Sequence, residues 1–99
     1  MSWFSRTRPH VSWEQAQRDL ADGKAVVFWK PGCAFCEFLL LQLGREKRVT
    51  WVNVWKDEAA NAAVRAVNNG DELTPTALIG DEVLRNPSAK EVLAALETP

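Results

Sequence analysis

The sequence predicts an α/β fold, a four-stranded mixed sheet sandwiched by helices, and three observations predict it. Ala25-Val26-Val27-Phe28-Trp29 is an apolar run without alternation, the pattern of a strand covered on both faces. Lys30-Pro31-Gly32 breaks that run, and a segment of helical period follows, so the chain reads strand, tight turn, helix. Nearer the C-terminus, two short strand-like runs flank Gly80-Asp81, the signal of an antiparallel hairpin.

The elements follow in order. Ser12 reads as an N-cap, with Gln15 three residues on and Val11 placed to staple against Ala16, and the helix it opens ends at Gly23. Trp13, Ala16 and Leu20 fall on one core-facing stripe. After the first strand, Cys33 to about Gly44 places Cys36, Leu39, Leu40 and Leu43 on one helical face. Phe35, Phe38 and Leu41 form a second apolar stripe, expected either to dock a partner or, as the stronger expectation, to lie buried under the N-terminal helix. Val49 to Trp55 is rich in β-branched and aromatic residues and reads as a second strand. Val52 and Val54 share one of its faces and Trp51 and Trp55 the other, which places both tryptophans in the core.

Asp57-Glu58 open a further helix with Ala60, Ala63, Val64 and Val67 as its buried stripe, and Asn68-Asn69-Gly70-Asp71 stops it. Thr76 to Ile79 and Glu82 to Leu84 form the hairpin strands. Asn86 as N-cap and Pro87 at the first helical position start the last helix, which points Val92, Leu93 and Leu96 inward to about Glu97. The right-handed crossover rule makes the first two strands a parallel pair.

A chain of 99 residues, 46% apolar and 25% charged, has room for one domain spanning 1–99, with an N-terminal helical extension at about 1–23. A formal net charge of −1 gives no electrostatic footprint for nucleic acid or an anionic membrane, so neither is expected as a partner. The longest apolar stretches fall far short of a bilayer span. The stretch Met1-Ser2-Trp3-Phe4-Ser5-Arg6-Thr7-Arg8-Pro9 shows no apolar segment followed by a small-residue cleavage site, so a cytoplasmic location is expected. Two cysteines in a reducing compartment point to catalysis or metal binding rather than to a structural cross-link.

Cys33-Ala34-Phe35-Cys36 stands where the buried strand ends and a helix begins. The unpaired N–H groups and positive dipole end of that helix stabilise a thiolate at Cys33. Lys30 adds a nearby positive charge, so the Cys33 pKa is expected below the free value of ~8.5. Cys36, one turn on, lies ~5 to 6 Å away, within disulfide reach. Cys33 is thus the attacking thiol and Cys36 the resolving one. Zinc wants four ligands, and His10 is the one further soft ligand, so a zinc site within one chain lacks partners and no metal is expected. Leu73-Thr74-Pro75-Thr76 puts a proline just before a strand, as either a cis Thr74–Pro75 bond or a plain loop proline. If cis and beside Cys33, it leaves the Thr74 backbone free to pair with an extended substrate.

Phe28-Trp29-Lys30-Pro31-Gly32-Cys33-Ala34-Phe35-Cys36 and Thr74-Pro75-Thr76 resemble the active-site turn and cis-proline segment of the thioredoxin superfamily, and more narrowly of the glutaredoxins, over about Ala25 to Leu96. Val67 to Thr76 and Asn86-Pro87-Ser88-Ala89 with Glu91-Val92 are similar to the mycoredoxins, glutaredoxin-like proteins that use mycothiol. The resemblance implies a thioredoxin-like fold and a reductase of mixed disulfides between proteins and a low-molecular-weight thiol. No cofactor would be tightly bound, and mycothiol or another such thiol would serve as reductant. The bound thiol would pass along Lys30, Phe35 and the Thr74-Pro75 backbone. Glutathione-using relatives hold the glutathione carboxylate with paired glycines and an acidic residue at the start of the last helix. Here Arg85, Asn86, Pro87 and Ser88 occupy that stretch, with Arg85, Asn86 and Ser88 as the binding residues implied, which counts against glutathione.

The partners implied are disulfide-containing or S-thiolated proteins and the small thiol itself, acting on a monomer. The long N-terminal helix resembles the thioredoxin arrangement instead, which implies electron supply from a flavoprotein disulfide reductase. A different class is an iron-sulfur cluster-binding glutaredoxin-like module with the first cysteine as ligand. The retained Cys36 counts against it. A non-catalytic scaffold has no need of Cys33, Cys36, Lys30 and Pro75 together.

Overall fold

The structure, a computed structural model, describes residues 8–98. The part of the expected N-terminal extension at residues 1–7, and with it most of the stretch read for an export signal, lies outside the described residues. The elements are α1 (Trp13–Ala21), β1 (Ala25–Trp29), α2 (Ala34–Leu43), β2 (Val49–Asn53), α3 (Glu58–Ala66), β3 (Thr76–Ile79), β4 (Glu82–Arg85) and α4 (Ala89–Glu97). The strands lie in the order β2-β1-β3-β4.

β1 pairs in parallel with β2, from Ala25 opposite Val49 to Trp29 opposite Asn53, as expected of two strands joined by a helical crossover. On its other side β1 pairs antiparallel with β3, and β3 with β4 through the two-residue turn at Gly80-Asp81, where Gly80 takes a φ of +57°. The absence of alternation in β1 is explained by its place: all five of its residues are buried, between two separate cores. Ala25, Val27 and Trp29 face one core with Trp51, Ala77 and Ile79, covered by Cys36, Leu39 and Leu43 of α2 and Val92 of α4. Val26 and Phe28 face the other with Val52, Val54 and Leu78, covered by Ala16 of α1 and by Ala60 and Val64 of α3. Helices on both faces of a four-stranded mixed sheet make this a thioredoxin-like architecture.

Three expectations need correction. Trp55 is not a core residue: β2 ends at Asn53, whose side-chain oxygen accepts the Trp55 N–H at 2.9 Å, and the turn this makes leaves Trp55 61% exposed. The Phe35, Phe38 and Leu41 stripe is not buried under the N-terminal helix, because α1 packs on the opposite face of the sheet from α2. The three side chains are 66, 60 and 84% exposed. Asn86 is not the N-cap of the last helix. Ser88 is, because Ser88 and Glu91 complete a capping box that Asn86 cannot form, and Asn86 takes a φ of +50° instead. At α1, Ser12 caps as expected, its Oγ accepting the Gln15 N–H at 3.1 Å, while the Gln15 side chain turns to Asp19. Among the described residues, no helix is long and apolar enough to cross a membrane.

Candidate active site

The Lys30-Pro31-Gly32 turn leaves the carboxyl end of β1, and Gly32 takes a φ of +80° there, a conformation that suits glycine. The turn delivers Cys33 to the N-cap of α2. In that position the Cys33 sulfur does what a serine or aspartate oxygen does at other helix starts: Sγ accepts the Cys36 N–H at 3.2 Å. A hydrogen bond from an orphan helix N–H favours a thiolate over a neutral thiol, so the site has one of the two features expected to acidify Cys33.

Cys33 and Cys36 are joined by a disulfide, with Cα atoms 5.2 Å apart. The two are not equally accessible. Cys36 is fully buried against the core between the sheet, α2 and α4, and Cys33 is half-buried at its edge. The Thr74–Pro75 bond is cis, which decides between the two sequence readings of that proline. The Thr74 carbonyl oxygen lies 3.5 Å from Cys33 Sγ.

The second feature expected to acidify Cys33 is engaged elsewhere. Lys30 Nζ forms a 2.9 Å ion pair with Glu72, each side chain about 30% exposed, so its charge at the turn is balanced. Glu72 also accepts from Asn61 Nδ2 and, at 3.4 Å, from Trp55 Nε1. The Lys30 hydrogen bond, ahead of those from Asn61 and Trp55, holds its carboxyl below the usual carboxylate range.

Phe35 stands exposed in the first turn of α2, next to Cys36 in sequence. The Arg85 guanidinium donates to the Val67 carbonyl at 2.7 Å and the Asn68 side chain at 2.8 Å. The Asn86 N–H donates to the Pro75 carbonyl at 2.8 Å. Ser88 caps α4, its Oγ accepting the Glu91 N–H at 3.1 Å. Asn68 in turn donates to Thr76 Oγ1 at 3.2 Å, and Thr76 Oγ1 donates to the Leu73 carbonyl at 2.8 Å. Arg85 and Asn86 are therefore brought against the segment that carries Thr74 and Pro75.

Sequence reasoning missed Glu72, Asn61 and Trp55, and also Arg8. The Arg8 guanidinium lies 4.7 Å from the Trp29 ring centroid and makes a double hydrogen bond to Glu37 in the first turn of α2, at 2.9 and 2.8 Å. His10 Nδ1 accepts the Asn53 N–H at 3.0 Å, which binds the segment before α1 to the end of β2.

A disulfide linking an accessible N-cap cysteine to a buried partner one turn on, in a thioredoxin-like fold, points to thiol-disulfide redox chemistry. No protein-family model matches the chain, and no curated protein matches it.

Proposed function

We propose that the protein is a thiol-disulfide oxidoreductase that reduces mixed disulfides between proteins and a low-molecular-weight thiol, with mycothiol as that thiol. The observation that carries the reading is the unequal exposure of the two cysteines: an incoming disulfide reaches Cys33 and not Cys36. The Cys33 thiolate attacks the small thiol's sulfur in the mixed disulfide. One S–S bond forms as the other breaks, and the client's sulfur leaves as a thiolate that takes a proton from water. Cys36, deprotonated, then attacks Cys33, the small thiol leaves with a proton, and the Cys33–Cys36 disulfide holds the two electrons' worth of oxidation. Alternatively a second small thiol resolves the adduct and leaves as its own disulfide. The small thiol acts as a diffusible reductant, and none is held tightly.

Mycothiol is favoured by the likeness of Val67 to Thr76, and of Asn86 to Ala89 with Glu91-Val92, to the mycoredoxins. It is also favoured by the pairing of Lys30 with Glu72, which balances the lysine charge that a glutathione carboxylate would otherwise meet at the turn.

A second reading, a thioredoxin-like protein disulfide reductase supplied by a flavoprotein, is favoured by the exposed Phe35 and Phe38 beside the disulfide. Apolar surface of that kind suits a protein partner better than a small polar one. Mass spectrometry of the Cys36→Ser variant after incubation with matched mycothiol, glutathione and coenzyme A disulfides separates the two. Dominant accumulation of the mycothiol adduct on Cys33 is expected. Equal or negligible adducts from all three would replace the first reading with the second.

A further inference from the structure

β1 and β2 are parallel, so their carboxyl ends share one edge of the sheet, the edge at which α/β folds commonly take up ligands. Cys33 emerges there from β1, and Trp55 emerges two residues past the end of β2. Lys30, Glu72 and Asn61 join Trp55 in one hydrogen-bonded cluster, whose groups form and break no bond in the sulfur exchange. Both Glu72 oxygens are occupied, one by Lys30 Nζ and Trp55 Nε1 and the other by Asn61 Nδ2. Asn61 is fixed in turn by donating to the Val54 carbonyl at 3.3 Å. Lys30 is three residues before Cys33 and Glu72 two before Thr74, so the ion pair ties together the two segments that flank the disulfide.

Trp55 and Asn61, with Val54, Glu58 and Arg65, also line an open depression of about 620 Å³. The exposed indole offers a broad rigid face at little entropic cost, and Asn61, Glu58 and Arg65 ring it with donors and acceptors. An indole face edged by such groups fits a polyhydroxylated ring, whose C–H face stacks while its hydroxyls hydrogen-bond. A carboxylate fares worse. To pair with Lys30 it must displace Glu72 and leave that acid uncompensated at its side, and without displacing it the carboxylate meets a lysine whose charge is already balanced.

We propose that Trp55, Asn61 and the Lys30–Glu72 pair form a specificity subsite that receives the carbohydrate end of an uncharged thiol and disfavours a carboxylate-bearing one. This deepens the reading above and rests on it. Mycothiol carries no ionised carboxylate and ends in a pseudo-disaccharide, whereas glutathione carries two carboxylates. Glu72 is a positioning residue here, acting through Lys30.

The test uses the Cys36→Ser chain with Glu72→Gln, Trp55→Ala or Trp55→Phe added. Rates of Cys33 adduct formation are measured at pH 7 with mycothiol disulfide and glutathione disulfide. In each reaction Cys33 captures one half of the disulfide and releases the other as thiolate. Each rate is divided by the rate of alkylation with iodoacetamide, an uncharged reagent that reports thiolate reactivity and an intact fold. Glu72→Gln is expected to raise the normalised glutathione rate about fivefold and leave the mycothiol rate near its starting value, the size of one partly exposed charge contact. Trp55→Ala is expected to lower the mycothiol rate about fivefold, with most of it restored by Trp55→Phe. A mycothiol adduct whose preference over glutathione neither Glu72→Gln nor Trp55→Ala moves would overturn the subsite alone. No adduct from either disulfide before those substitutions would overturn the parent reading and the subsite with it.

Discussion

Asp57 joins the starts of two helices, and its replacement gives a calculable loss. Its Oδ1 accepts the Ala59 and Ala60 N–H groups at 2.9 and 3.3 Å and caps α3. Its Oδ2 accepts the Trp13 N–H at 2.8 Å, at the first residue of α1. Asp57→Ala removes a cap, which costs about 1 kcal/mol. It also strands a partly buried N–H, which costs about 1 to 2 kcal/mol more. The sum of about 2 to 3 kcal/mol corresponds to a fall in Tm of about 10 to 20 °C for a chain of this size. Asp57→Asn keeps an acceptor for the cap but offers Trp13 one fewer, so it should lose about half as much. Urea unfolding followed by far-UV circular dichroism measures both. The pH dependence gives an independent check. The Trp13 N–H, more than those of Ala60 and Ala59, holds the Asp57 carboxyl below its ordinary range. The unfolded chain therefore binds the proton first, and the stabilisation is complete above the unfolded pKa and lost as pH falls through the folded one. The gap between the parent chain and Asp57→Ala should accordingly be widest at neutral pH and close in acid. A loss under about 0.5 kcal/mol at pH 7, the range of an ordinary surface change, would refute the reasoning, as would a gap indifferent to acid.

Alkylation of Cys33 in the Cys36→Ser chain, followed against pH, should show a midpoint below the free-thiol value of ~8.5; a midpoint at or above it would contradict the N-cap role of the sulfur. Leu39 and Phe38 are neighbours on α2 but only Leu39 is buried, at 2% exposure, so Leu39→Ala should cost about 2 to 5 kcal/mol and Phe38→Ser under about 0.5, as read by thermal unfolding. Burial, then the nearby Lys56, holds the His10 imidazole below its ordinary pKa against a smaller opposing pull from Asp57. The unfolded chain then takes the proton at the higher pH, and stability should decline as pH falls from 6.5 through the lowered folded value. His10→Ala should remove that part of the decline in urea midpoints between pH 7 and 5, and an unchanged profile would count against it.

The element order was legible because each element carries its own local signal. The run at Ala25 to Trp29 declared a doubly covered strand, Ser12 declared a helix start, and Gly80-Asp81 declared a hairpin, all from residues within a few positions of one another. Where local signals competed, the reading failed. Asn86-Pro87 and Ser88-Glu91 are both helix starts on paper, and the capping box prevailed because it satisfies two backbone donors at once. Trp55 continues the alternation of β2 in sequence, but an Asn53 side chain that accepts the Trp55 N–H turns the chain out of the sheet. The exposure of Phe35 and Phe38 depended on which face of the sheet α1 covers, and periodicity within either helix carries no information about that.

The same distinction separates the two parts of the site. Cys33 and Cys36 were legible because the spacing that lets them pair is also the spacing of one helical turn, so the motif and its geometry are the same local fact. The electrostatics of the site were not local. The sequence places Lys30 near Cys33 as a positive charge, and it becomes one half of an ion pair only because Glu72, 42 residues away, is carried to it on the loop that also brings in Thr74. With that charge balanced, stabilisation of a Cys33 thiolate rests chiefly on the helix N-terminus and the Cys36 N–H. Both favour the thiolate over the neutral thiol. A thiolate stabilised in this way suits the chemistry proposed: attack needs a nucleophile that is substantially ionised near neutral pH yet still basic, and nucleophilicity falls as the pKa is driven lower. Glu72 thereby bears on reactivity as well as on selection, since a bare Lys30 would both attract carboxylates and push Cys33 toward a more ionised, less nucleophilic sulfur.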